Sequence, residues 1–141
     1  MPVMTGKTAF MEMLRAEGVR YIFGNPGTSE LAIMSALEEY QDIRYVLAAQ
    51  EGVAMGMADG YSIGTGQPSL VNLHIDSGLA NGISLLQHAM DGGVPIILTA
   101  GNKDSRKLAE GRTDLPGMVA QFTKWSAEVT NPQQIPGAMR S

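Results

Sequence analysis

The chain has 141 residues, enough for one domain with a real hydrophobic core. Hydrophobic residues make up 44% and charged ones 17%, a globular balance that excludes disorder, and the lack of cysteine excludes disulfides and thiolate metal sites. The formal net charge of −4 argues against nucleic acid or an anionic membrane as the main partner, since neither is drawn to an acidic surface.

Residues 1–10 lack the continuous apolar core of a signal peptide. The longest apolar stretch, residues 95–100, is far below the roughly 20 residues that span a bilayer. A soluble, cytoplasmic protein is expected, in keeping with the absent cysteines.

Short apolar runs alternate with amphipathic stretches, the pattern of a doubly wound, mostly parallel α/β sheet with helices on both faces. A helix is expected over residues 8–15, stopping at Gly18, and a buried strand over 19–23. Gly24-Asn25-Pro26-Gly27 reads as a turn, after which Thr28 or Ser29 can cap a helix with the apolar stripe Leu31, Ile33, Met34 and Leu37. A second strand is expected at 45–47, a Gly/Ala-rich helix at 51–61 and a third strand at 69–73. The next helix covers about 79–90, with His88 on a partly exposed face. The fourth strand, 94–99, is apolar throughout and so is expected at the centre of the sheet. An exposed loop at 101–112, a short helix at 115–122 and an edge strand at 126–129 follow. Asn131-Pro132 opens a last helix, cut off at Ser141 after two turns, so the domain, taken as residues 1–141, looks unfinished.

Four strand ends feed glycine-rich or polar turns, at residues 24–29, 48–52, 74–81 and 101–104. In an open parallel sheet ligands bind outside the carboxyl ends of the strands, so a site belongs there. Phe23 to Glu30 is either a tight strand–helix connection or a nest of backbone N–H groups for an anion. It is not a P-loop, because no Gly-Lys-Ser/Thr follows. Glu51 is either a first-turn carboxylate favoured by the helix dipole or the acidic group of a site whose small neighbours admit a flat ligand. His74, ending a buried strand, is either a hydrogen-bonded structural residue or an acid–base group.

Taken together, Phe23-Gly24-Asn25-Pro26-Gly27, Glu51 with Ala58-Asp59-Gly60-Tyr61, Asn72-Leu73-His74 and Gln121-Phe122-Thr123-Lys124-Trp125-Ser126 resemble a known family. It is the thiamine diphosphate-dependent decarboxylases and acetohydroxyacid synthases, in their N-terminal pyrimidine-binding domain; the nearest look is to benzoylformate decarboxylase and its relatives. The resemblance implies that Glu51 shares a proton with N1′ of the cofactor's aminopyrimidine, so that the cofactor can lose its thiazolium C2 proton and attack a 2-oxo acid. A helix N-terminus and burial would pull the acidity of this glutamate in opposite directions. The same resemblance places His74 and Thr28 against the substrate. It has Asn25, Pro26 and Gly27 line the pyrimidine, with Gly78 and Asn81 on the adjacent turn. Leu79 and Ala48-Ala49 depart from the synthase pattern and favour a decarboxylase. Mg²⁺ and the diphosphate would be held by another domain, because no Gly-Asp-Gly occurs here. The implied partners are a 2-oxo acid and the diphosphate-binding domain of another subunit or chain, in a homo-oligomer. A separate small subunit, an acetolactate synthase-like fragment and a non-catalytic module of the same fold stay open beside a decarboxylase fragment.

Overall fold

The computed structural model of the chain describes residues 3–104 and 111–141. Helix α1 (Gly6–Ala16) is capped by the Thr5 hydroxyl, which accepts the Thr8 N–H, and ends before Gly18 at φ +81°. Strand β1 (Tyr21–Gly24) leads through a 3₁₀ turn, Thr28–Glu30, into α2 (Leu31–Ala36). Then come β2 (Arg44–Leu47), α3 (Glu51–Thr65), β3 (Ser69–His74), α4 (Ile75–Asp91) and β4 (Ile96–Gly101). Helix α5 (Leu115–Val119) and a 3₁₀ turn leading into α6 (Ile135–Ala138) complete the order.

The four strands form one sheet in the order β2-β1-β3-β4, all parallel, with helices on both faces as expected. Because side chains alternate across a strand, β3 sends Val71 and Leu73 to one face and Leu70, Asn72 and His74 to the other. The first set packs with Phe23, Met55, Ala58, Leu79 and Leu86, beneath α3 and α4. Of the second set, Leu70 packs with Met11, Leu14, Ile22 and Tyr40, beneath α1 and α2. Met11, Leu14 and Ile22 are fully buried, each worth about 1.5–3 kcal/mol. Asn72, polar and on this same face, is buried but satisfied: it accepts from the Tyr45 hydroxyl at 3.4 Å and donates to Thr99 Oγ1 at 3.1 Å. Gly24 makes that bridge possible, since a Cβ there would lie 2.2 Å from the Asn72 carbonyl oxygen and 2.3 Å from the Tyr45 hydroxyl.

Several sequence expectations are corrected. The apolar strand β4 lies at the edge of the described sheet and is half-buried along its length; β1 and β3 are central. An apolar run reports that both faces are covered, not how many strands flank it. No strand forms at 126–129. That segment is held by side chains instead: Glu128 accepts from Asn102 and Arg112, and Ser126 donates to the Pro116 carbonyl. Helix α3 runs on to Thr65 because the left-handed stop, at φ +67°, is Gly66. Helix α4 begins at Ile75, four residues before the expected start, so the glycine-rich turn at 74–81 is its opening two turns. Neither Thr28 nor Ser29 caps α2. The Glu30 carboxylate reaches back to the Gly27 N–H at 2.8 Å and does that work. Of the expected loop at 101–112, residues 105–110 lie outside the described residues.

Among the described residues no helix is long and apolar enough to cross a membrane.

Candidate functional site

The carboxyl ends of the strands gather the expected residues into two clusters, each centred on a buried carboxylate. The first is Glu51, 9% exposed, on the opening turn of α3. Gln50 caps that helix by accepting the Val53 N–H at 3.0 Å. The Asn25 amide, from the turn after β1, donates to Glu51 Oε1 at 3.1 Å. The Asn81 amide, from α4, donates to Oε2, also at 3.1 Å. Asn81 comes within reach because 78 and 81 share one face of α4, and Gly78 offers no side chain where that face meets Glu51. Burial pushes the pKa of Glu51 up, but its helix-terminal N–H and the amides of Asn81 and Asn25 outweigh burial and bring it down. The carboxyl therefore sits below the usual glutamate range and is ionised at neutral pH.

The second cluster centres on Glu30, 2% exposed and thus more buried than Glu51. His74 Nδ1 lies 2.8 Å from Glu30 Oε2 and 2.9 Å from Ser29 Oγ. Gly27 sits flat against the imidazole, where a Cβ would fall 2.4 Å from the ring. The N–H groups of the β1–α2 turn do meet an anion, but it is internal: Gly27 N–H donates to Glu30.

Asn25, Glu51, Gly78 and Asn81 thus form one cluster, and Gly27 and His74 belong to the other. Pro26 is half-buried between Asn25 and Gly27. Thr28 opens the 3₁₀ turn in an exposed position, and the hydroxyl that meets His74 is that of Ser29. Sequence reasoning took Ser29 only as a possible helix cap and Glu30 only as the end of the turn segment, and gave neither a place in the site. The available signal was Glu30 itself, three residues after a glycine at a helix start, where a carboxylate can bond the backbone N–H. His88 lies on an exposed face of α4 and pairs with Asp59 through Nδ1 at 2.9 Å. Among the described residues no group of three or more His, Asp or Glu side chains could hold a metal ion.

The chain is 34% identical over 139 residues to benzoylformate decarboxylase of Pseudomonas aeruginosa, covering 96% of this chain and 26% of that protein. It is 29% identical over 143 residues to the acetolactate synthase large subunit of Haemophilus influenzae, covering 99% of this chain and 25% of that one. The structure superposes with a TM-score of 0.89 on the thiamine diphosphate-dependent 4-hydroxybenzoylformate decarboxylase of Rhodococcus jostii, at 35% identity over 96% of this chain and 26% of that one. With benzoylformate decarboxylase from Polynucleobacter necessarius the TM-score is 0.86 at 33% identity, over 96% of this chain and 26% of that one. The chain spans about a quarter of the length of each of these relatives. Residues 4–124 match the model of the thiamine pyrophosphate enzyme N-terminal TPP binding domain, and the chain belongs to that family.

Proposed function

We propose that this chain is the pyrimidine-binding domain of a thiamine diphosphate-dependent 2-oxo acid decarboxylase of the benzoylformate decarboxylase type. The observation that carries the reading is Glu51: a buried, ionised carboxylate at the strand ends, fixed by two side-chain amides, one on each oxygen. The two oxygens can accept four hydrogen bonds between them, so beside the two amides and the backbone N–H a lone pair stays free. That donor set fits the N1′ side of an aminopyrimidine. Thiamine diphosphate supplies, when bound, the nucleophilic carbon and the electron sink for loss of CO2.

The residues of this chain then divide the work. Glu51 holds or releases a proton at the pyrimidine nitrogen, and Asn25 and Asn81 keep its two oxygens in place. Pro26, Gly27 and Gly78 line the ring. His74 exchanges protons with the substrate or holds its carboxylate, and Thr28 narrows the pocket beside it. Mg²⁺ and the diphosphate are bound by another domain, supplied by a second subunit or chain of a cytoplasmic homo-oligomer, and residues 1–141 act as one domain.

The complete enzyme carrying Glu51→Gln tests this. Turnover of aromatic and aliphatic 2-oxo acids is expected to fall by on the order of 10²–10⁴. Near-normal turnover would sink the reading. The acetolactate synthase relative supports a second reading, a carboligase. Pyruvate condensation that outpaces decarboxylation of every 2-oxo acid tried would favour it.

A further inference from the structure

We infer that Glu30 is the positioning residue of His74 and selects the tautomer of its uncharged form, with the proton on Nδ1 and the lone pair on Nε2. The consequence for turnover rests on His74 facing the substrate, as proposed above. The proton's location does not.

The inference follows from counting donors. Glu30 Oε1 accepts the Ser29 hydroxyl at 2.7 Å and the Gly101 N–H at 3.1 Å. Glu30 Oε2 accepts the Gly27 N–H at 2.8 Å and faces His74 Nδ1 at 2.8 Å. A carboxylate has only acceptors, so it can meet Nδ1 only where that nitrogen carries the proton. Ser29 gives the same answer. Its single hydroxyl proton is spent on Glu30, so its oxygen, 2.9 Å from Nδ1, has lone pairs alone to offer. Both neighbours of Nδ1 are acceptors. The hydrogen bond at one ring nitrogen fixes the state of the other.

The surroundings hold this arrangement from several elements. A Cβ on Gly101, at the end of β4, would lie 2.4 Å from Glu30 Oε1 and 2.5 Å from Ser29 Oγ. Gly27 closes on the ring from the other side of the cluster. Immediately after His74, Ile75 takes φ +45°, a left-handed conformation rare for a β-branched residue, and the chain turns at once from strand into helix. The imidazole keeps one-third of its side chain exposed (31%), while its partner is almost wholly enclosed. A buried carboxylate that orients an accessible imidazole is the relation seen between acid and base in nucleophile–base–orienter sites.

The test reads the histidine nitrogens directly. In the ¹⁵N-histidine-labelled full chain, which has two histidines, the ¹⁵N shifts of the neutral rings report which nitrogen bears hydrogen. His88, paired with Asp59, serves as an internal reference. Wild type is expected to show His74 with Nδ1–H. Glu30→Ala frees the Ser29 hydroxyl to donate to Nδ1, so the proton should move to Nε2, with His88 unchanged. Ser29→Ala should keep Nδ1–H. An Nε2–H ring in wild type overturns the inference, as does an Nδ1–H ring that survives Glu30→Ala. Loss of Nδ1–H in Ser29→Ala would also overturn it, and holds even where Glu30→Ala does not fold. In the complete enzyme, Glu30→Ala should lower kcat on the order of 10- to 100-fold, the range for loss of an orienting partner, with affinity for thiamine diphosphate unchanged. An unchanged kcat would remove the positioning role. His74→Ala with unchanged kcat would instead sink the reading of His74, and leave the proton assignment standing.

Discussion

Glu51 and Glu30 are two buried carboxylates at the same end of one sheet, yet they are held in different ways. Glu51 is gripped by two side-chain amides, one on each oxygen. Glu30 is gripped by two backbone N–H groups, a hydroxyl and an imidazole, drawn from the β1–α2 turn and the ends of β3 and β4. Backbone donors cannot swing away when a ligand arrives, whereas side-chain amides can adjust and leave lone pairs free. The two sets of partners differ accordingly: those of Glu30 tie several elements together, and on the proposed reading Glu51 keeps a lone pair for the pyrimidine.

The comparison can be broken by stability measurements, largest effect first. Glu30→Leu strands four donors in a nearly enclosed site. Unpaired buried donors cost about 1–3 kcal/mol each, so several kcal/mol of destabilisation are expected in urea unfolding. Glu51→Gln should change stability by less than about 1 kcal/mol, because its partners are flexible amides on a less enclosed group. Equal losses in the two variants would erase the distinction. Gly27→Ala forces a methyl into the His74 ring at 2.4 Å and should cost about 1–3 kcal/mol, with the loss relieved by His74→Ala in the double variant.

Smaller still is a pH effect. The folded pKa of Glu51 lies below its unfolded value, so its contribution is fully present above the unfolded pKa of about 4.3 and is lost as pH falls through the folded one. The stability gap between wild type and Glu51→Gln should therefore shrink on acidification below about pH 4.3. A gap that grows there would reverse the sign of the shift. Asn81→Ala and Asn25→Ala each remove one hydrogen bond worth about 0.5–1.5 kcal/mol, and each should raise the pH at which that gap closes.

Much of the fold was legible in local pattern. The strands at β1, β2 and β3 fall within two residues of their expected bounds, and the stop at Gly18 and the start at Asn131-Pro132 follow from residue chemistry alone. The placement of Glu51 at a helix start was equally visible. Less visible was its company. Asn81 looked like part of a turn, because Ile75, a β-branched residue, takes the left-handed conformation that starts α4 early. Thr28 was expected against the substrate, with no hydroxyl foreseen on His74; the one that meets it is Ser29's, on the 3₁₀ turn that opens α2.

The sequence by itself determined the alternation of elements, the parallel sheet, and the glycine-rich strand ends where a site must lie, because periodicity and turn chemistry act over a few residues. Tertiary structure alone decided that β4 lies at the edge of the described sheet, that Asn25 and Asn81 meet on Glu51, and that Glu30 is enclosed with His74. Those contacts join residues 26 to 71 positions apart, and only the stacking of helices on the sheet brings them within hydrogen-bond distance.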